Sequence, residues 1–175
     1  MKKSLLVLFA IFNFTIAFAQ ETPEHEPIFN DFKRTDLEMN NAFALASATI
    51  NDFEKLVIKG GDASFMAKLR FIDPRYAESQ QGVEVFYIWL SDVVFHSKEN
   101  MFSGVFFELP NELKEWHHVG QRLGFDKDDV FDWMVNENGH VKGAFTLRVT
   151  RSRLKTDAEK KEFDEYTGMS SYEKY

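Results

Sequence analysis

The side chains with most capacity for chemistry lie between His117 and Arg153. Asp126, Asp128, Asp129 and Asp132 crowd one short segment. Carboxylates spaced this way could ligate calcium or act as general acid and base. A calcium loop counted from Asp126 needs glycine at its sixth place and glutamate at its twelfth. Those places hold Phe131 and Glu137, so one of the two signature residues is matched, in type alone. The cluster therefore reads as a polar turn with acids at a strand edge. His117 and His118 are the only adjacent histidines. Neighbouring side chains point apart on a strand and about 100° apart on a helix, which rarely suits one metal. There is no HExxH, no GxSxG, no GxxxxGK[ST] and no cysteine, so zinc protease, nucleophile-elbow hydrolase and phosphate-loop chemistry lack their residues. No catalytic set, metal site or cofactor is expected. What remains is a binding candidate: Asp132, Trp133 and Arg148, with Arg148 facing Asp132 across a hairpin. That pairing reads as a structural salt bridge before an anion site.

The elements that position these residues run from Gly120 to Val149. Val130-Phe131-Asp132-Trp133-Met134-Val135 reads as a strand. Phe131, Trp133 and Val135 share one face, and Val130, Asp132 and Met134 the other. Asn136-Glu137-Asn138-Gly139 is a turn signal, since Asn and Gly accept positive φ at low cost. Val141–Arg151 reads as the returning strand, with Phe145, Leu147 and Val149 on one face. Gly143 marks a bulge or close backbone approach.

Before this hairpin, Leu37, Ala42, Phe43, Ala46, Ile50, Phe53 and Val57 recur at helical spacing from Asp36 to Val57. Gly60-Gly61 ends that helix, and Phe43, Ile50 and Phe53 are expected to plug into a sheet. Strands follow at Ser64–Ile72, at Val83–Phe95 (apolar on both faces) and at Phe102–Leu109, linked by turns at Asp73-Pro74-Arg75 and Glu78–Gly82. Asn111 is placed to cap a short helix from Glu112 to His118. Thr156-x-x-Glu159 is a capping-box pattern opening a charged helix, Asp157–Tyr166. Gly168 ends it, and Met169–Tyr175 reads as a frayed tail. The fold class is α+β: a strongly curved, barrel-like antiparallel sheet with an N-terminal amphipathic helix packed on it and a short C-terminal helix. One domain is expected over residues 36–155, followed by the helix and tail at 156–175.

Residues 1–19 differ in kind. Lys2 and Lys3 precede an apolar run from Leu5 to Phe18, and Ala17-Phe18-Ala19 is a small-x-small cleavage signal. This predicts a secretory signal peptide cut between Ala19 and Gln20, a leader at 20–35 and a periplasmic or secreted protein. The run is short for a membrane span. With no cysteine there is neither a lipid-anchor site nor a disulfide. The whole chain carries a net charge of −7, and loss of Lys2 and Lys3 leaves 19 − 28 = −9. Such an acidic chain is poorly suited to nucleic acid or an anionic membrane surface.

Trp89-Leu90 with Glu84, Phe102-x-Gly104 with Pro110-Asn111, Gly120, Asp132-Trp133-Met134 and Gly139-x-x-x-Gly143-x-Phe145-Thr146-x-Arg148 together resemble the YegJ-like family, domain of unknown function 2314. The resemblance runs from Asp36 to Thr150. It implies a small α+β domain found in exported bacterial proteins and beside other domains, and it implies no reaction. The expected function is a non-enzymatic binding module in the envelope, recognising a protein or envelope component. An immunity-like toxin inhibitor is a narrower form of this. A small hydrolase using acids around Asp132 is the alternative from another class.

Overall fold

The computed structural model describes residues 36–72 and 85–174. The expected signal peptide, leader and the turns between residues 73 and 84 lie outside them. In chain order the elements are α1 (Leu37–Ala48), α2 (Ile50–Lys59), β1 (Ser64–Ile72), β2 (Val85–His96), β3 (Met101–Phe106), β4 (Arg122–Phe125), β5 (Val130–Glu137), β6 (His140–Gly143), α3 (Phe145–Arg153), α4 (Asp157–Thr167) and β7 (Ser171–Tyr172).

The strands form one sheet in the order β4-β3-β2-β1-β5-β6-β7, antiparallel except for the parallel pair β6–β7. This order and one short connection dictate its curvature. Three strands separate β4 from β5, which in a flat sheet would hold them about 19 Å apart. The link from Phe125 to Val130 contains a 3-10 turn, Lys127–Asp129, which advances only about 2 Å per residue. The sheet must therefore curl until β5 returns toward β4. No pairing joins β4 to β5 among the described residues, so the curl stays open.

The inside of the curl holds the main core: Ala67, Leu69, Ile88, Leu90, Phe102, Phe106, Phe125 and Trp133. Phe53 of α2 inserts between Phe102 and Trp133, with ring centroids 5.5 and 5.3 Å away. The other face carries a second cluster of Trp89, Met134, Val141, Leu147 and Met169, with Met66 and Phe163 packed against it.

Several expectations change. The helix expected from Asp36 to Val57 is two helices, broken at Thr49 (φ −108°, ψ 7°). The Thr49 hydroxyl donates to the Leu45 carbonyl at 2.7 Å, and the Trp133 indole donates to Ala46 O and Thr49 Oγ1 at 3.2 and 3.1 Å. Side-chain bonds to backbone oxygens here compete with the helical ladder. Leu37 is exposed and Met39 takes its place in the core, while Phe43 stacks on Tyr87 at 5.1 Å. The Glu112–His118 helix reduces to a 3-10 turn, Asn111–Leu113. Its N-cap is Pro110, which offers no side-chain cap, and the Asn111 oxygen accepts from Lys114 instead.

The hairpin holds only as far as Gly143. β5 and β6 pair from Glu137↔His140 to Met134↔Gly143, through an Asn138-Gly139 turn in which both residues have positive φ (52° and 89°). That is the geometry Asn-Gly favours in two-residue hairpins. Gly143 and Ala144 then both adopt left-handed φ, 71° and 54°. They turn the chain into α3, where a strand to Arg151 was expected. The tail is not frayed either. Met169 is 1% exposed, and β7 extends the sheet beside β6. The capping box at Thr156 and Glu159 is formed as expected and opens α4.

Candidate functional site

Asp132 lies at the junction of β5 and α3, and what holds it explains why α3 exists. Its side chain leaves β5 on the face opposite the main core and is fully buried. The N-cap of α3, Ala144, has no side chain able to cap. The Asp132 carboxylate does this from thirteen residues away. Oδ1 accepts from the Phe145 N–H at 3.2 Å and the Trp133 N–H at 2.8 Å. Oδ2 accepts from the Thr146 N–H at 2.8 Å and the Thr146 hydroxyl at 2.6 Å. An anion at a helix N-terminus also meets the positive end of the helix dipole.

The countercharge is Lys68, not the Arg148 expected from the sequence. Lys68 lies directly opposite Asp132 in the β1–β5 register. Its Nζ donates to Thr146 Oγ1 at 2.7 Å and lies 5.0 Å from the centre of the Trp89 ring. The Thr146 hydroxyl thus accepts from the ammonium and donates to the carboxylate. Lys68, Thr146 and Asp132 are 1%, 0% and 0% exposed. Burial pushes the Lys68 pKa down to about 8 against the pull of Asp132. Burial also raises the Asp132 carboxyl, opposed by Lys68 and its hydrogen-bond donors. Both shifts have one cause: low-polarity surroundings penalise whichever form is charged.

Arg148 has other work. Its guanidinium donates to Glu173 O at 2.8 Å and Val141 O at 3.4 Å, and lies over the rings of Phe145 and Tyr172. It clasps the C-terminal segment onto β6. Since residues 145–153 are helical, Arg148 does not face Asp132 across a hairpin. Trp133 is fully buried in the main core. Gly143 lies against it so closely that an added Cβ would be 2.2 Å from Trp133 O. Asp132 and Trp133 therefore belong to one unit around the β5–α3 junction, whereas Arg148 engages the C-terminal segment and β6. Lys68 and Thr146 belong to that unit; Thr146 stands in the motif read from the sequence, but nothing local marks it or Lys68 as a partner of Asp132. Lys68 alternates with Met66 and Arg70 like any outward lysine, and only the β1–β5 pairing exposes its role.

The other candidates separate. Asp126 and Asp129 cap the 3-10 turn before β5, with the Asp126 N–H donating to Asp129 Oδ2 at 3.0 Å. His117 packs on Phe106 and Phe71 at ring distances of 4.9 and 5.6 Å, whereas His118 is exposed. Among the described residues no three His, Cys, Asp or Glu side chains converge as metal ligands. Asp128 and Asp129 do reach a cleft of about 530 Å³ where the sheet fails to close. Leu69 and Phe71 of β1, Leu123 and Phe125 of β4, and Phe131 supply its apolar walls, and Arg70 adds a guanidinium.

A bacterial family described as an uncharacterised conserved protein, DUF2314, matches residues 36–171. The chain belongs to the DUF2314 family. The DUF2314 match begins at Asp36, which caps α1 through the Met39 N–H at 3.1 Å, and ends in β7. It takes in α4, beyond the Thr150 limit of the resemblance read from the sequence. Comparison with curated proteins and with solved structures finds no match. No helix among the described residues is long and apolar enough to cross a membrane.

Proposed function

We propose that this DUF2314 chain is a non-enzymatic binding module of the bacterial envelope, holding an extended segment of a partner protein along the outer edge of β4. The observation that carries this reading is the open cleft. β4 pairs with β3 on one side only among the described residues, and an unpaired strand edge offers N–H and C=O groups to an added strand. The cleft beside it supplies apolar walls for alternate side chains, with Asp128 and Asp129 on one rim. The acidic chain, −7 overall, favours a partner segment that mixes apolar and basic residues. A small hydrolase using acids around Asp132 is the alternative; Asp132 itself is buried with both carboxylate oxygens accepting from protein donors, which leaves Asp128 and Asp129 as the acids at the cleft.

The envelope assignment rests on the N-terminal signal. Protein recovered from its native host should begin at Gln20 by mass spectrometry, and recovery of intact Met1 would remove that part of the proposal. For binding, the protein and its Leu123→Lys variant serve as bait for envelope extract. A partner that depends on the cleft is captured by the first and lost with the second, while both melt at similar temperatures. It should also slow hydrogen exchange of the β4 amides. Equal capture by both baits, or unchanged β4 exchange, would refute the cleft as the site.

A further inference from the structure

Lys68 and Asp132 face each other on neighbouring strands, and both are buried. One hydroxyl joins them: Lys68 Nζ donates to Thr146 Oγ1 at 2.7 Å, and Thr146 Oγ1 donates to Asp132 Oδ2 at 2.6 Å. The other carboxylate oxygen, Oδ1, receives the Trp133 and Phe145 N–H groups at 2.8 and 3.2 Å. Amide condensation needs an amine, a carboxyl group, a proton path between them and donors for the oxygen on which charge builds. All four are assembled here. Burial acts in the same direction. It holds the Lys68 pKa down at about 8 and raises that of Asp132, which favours the neutral amine and the carboxylic acid over the ion pair. A buried ion pair also carries a desolvation cost that a neutral amide escapes.

We propose that Lys68 and Asp132 condense to an intramolecular isopeptide bond with loss of one water. A proton first passes from Lys68 Nζ to Thr146 Oγ1 and from Oγ1 to Asp132 Oδ2, leaving a neutral amine and a carboxylic acid. The Nζ lone pair attacks Cγ and forms the N–C bond. Charge that builds on Oδ1 meets the Trp133 and Phe145 N–H groups, as in an oxyanion hole. A second proton leaves the nitrogen by the same path, the Cγ–Oδ2 bond breaks, and Oδ2 departs as water. The balance needs no further reactant. Attack requires the amine at about 3–3.5 Å from Cγ, and the flexible four-carbon stem of lysine supplies that movement without shifting either strand. The bond would tie β1 to β5 in a chain that has no cysteine. Until it forms, the two groups are the ion pair described above, and the titration of Lys68 belongs to that state. The proposal is independent of the β4 cleft, and failure of either leaves the other standing.

The test is the mass of the folded protein, held at neutral pH for days and followed by intact-mass spectrometry. A species lighter by one water should accumulate to the majority. Tryptic digestion should then yield one branched peptide joining the Lys68 and Asp132 segments, with no cleavage after Lys68, which separates the cross-link from cyclisation at an aspartate. Lys68→Met and Asp132→Ala should each abolish the branched peptide. Thr146→Val should slow its formation about a hundred-fold or more, the usual contribution of a positioned proton donor and acceptor, whereas Thr146→Ser should still condense. If Thr146→Val does not fold, the branched peptide in the unaltered protein decides alone. An unchanged mass in the folded protein, water loss without the branched peptide, or condensation of folded Thr146→Val at the unaltered rate would overturn the inference.

Discussion

Thr146→Val tests the idea that one hydroxyl joins a buried ion pair. The substitution keeps the shape of the side chain and the Thr146 N–H bond to Asp132, and it removes only the oxygen. Two contacts go: Lys68 Nζ to Oγ1 at 2.7 Å and Oγ1 to Asp132 Oδ2 at 2.6 Å. Hydrogen bonds to charged groups contribute about 1.5–3 kcal/mol each, so the pair sums to about 3–6 kcal/mol. The expected loss is therefore about 4 kcal/mol. Thr146→Ser keeps the hydroxyl and loses one methyl, for about 1 kcal/mol. Urea unfolding followed by both circular dichroism and tryptophan fluorescence measures both variants, with an unchanged denaturant slope confirming that the same transition is compared. If Thr146→Val lost less than about 1 kcal/mol, or less than Thr146→Ser, the relay would be refuted. A double-mutant cycle with Lys68→Met and Asp132→Asn should show coupling of about 1–3 kcal/mol, and additive losses would also count against it.

Gly143→Ala should prevent folding or destabilise by several kcal/mol, because the new Cβ meets the Trp133 carbonyl at 2.2 Å in a left-handed conformation. Gly60→Ala has open space around it and meets only the cost of its glycine-only backbone, φ 65° and ψ −155°, about 1–3 kcal/mol; a loss as large as that of Gly143→Ala in thermal unfolding would contradict the packing account. The Lys68 pKa of about 8 lies below the ordinary 10.5, so between those values the unfolded chain holds more protons. Stability should then rise with pH across that window in the unaltered protein, and the rise should vanish in Lys68→Met; the same slope in both would place the titration elsewhere. Met169→Ala should lose about 2–4 kcal/mol if the C-terminal segment is part of the core, whereas a frayed tail would lose less than about 0.5 kcal/mol in urea unfolding.

Local chemistry settled much of this protein before any contact was known. Asn138-Gly139 specifies its hairpin turn because both residues tolerate positive φ. Thr156 and Glu159 open α4 because each satisfies the other's backbone N–H. The alternation along β1 and β5 announced strands, and the ordered residues from Asp36 onward announced the family. The segment from Phe145 to Arg153 shows the limit. Its alternation of apolar and polar residues suits a strand, yet it is a helix. The deciding groups are distant: Asp132 supplies the missing cap, and Gly143 packs against Trp133 and turns the chain. The break at Thr49 likewise depends on an indole 84 residues away. Lys68 and Thr146, 78 residues apart, become partners only when β1 pairs with β5. Periodicity records which side of an element is apolar. Which charge is buried with which, and which backbone groups a buried carboxylate captures, follow from the pairing of strands and from the burial that makes an unpaired charge too costly to leave.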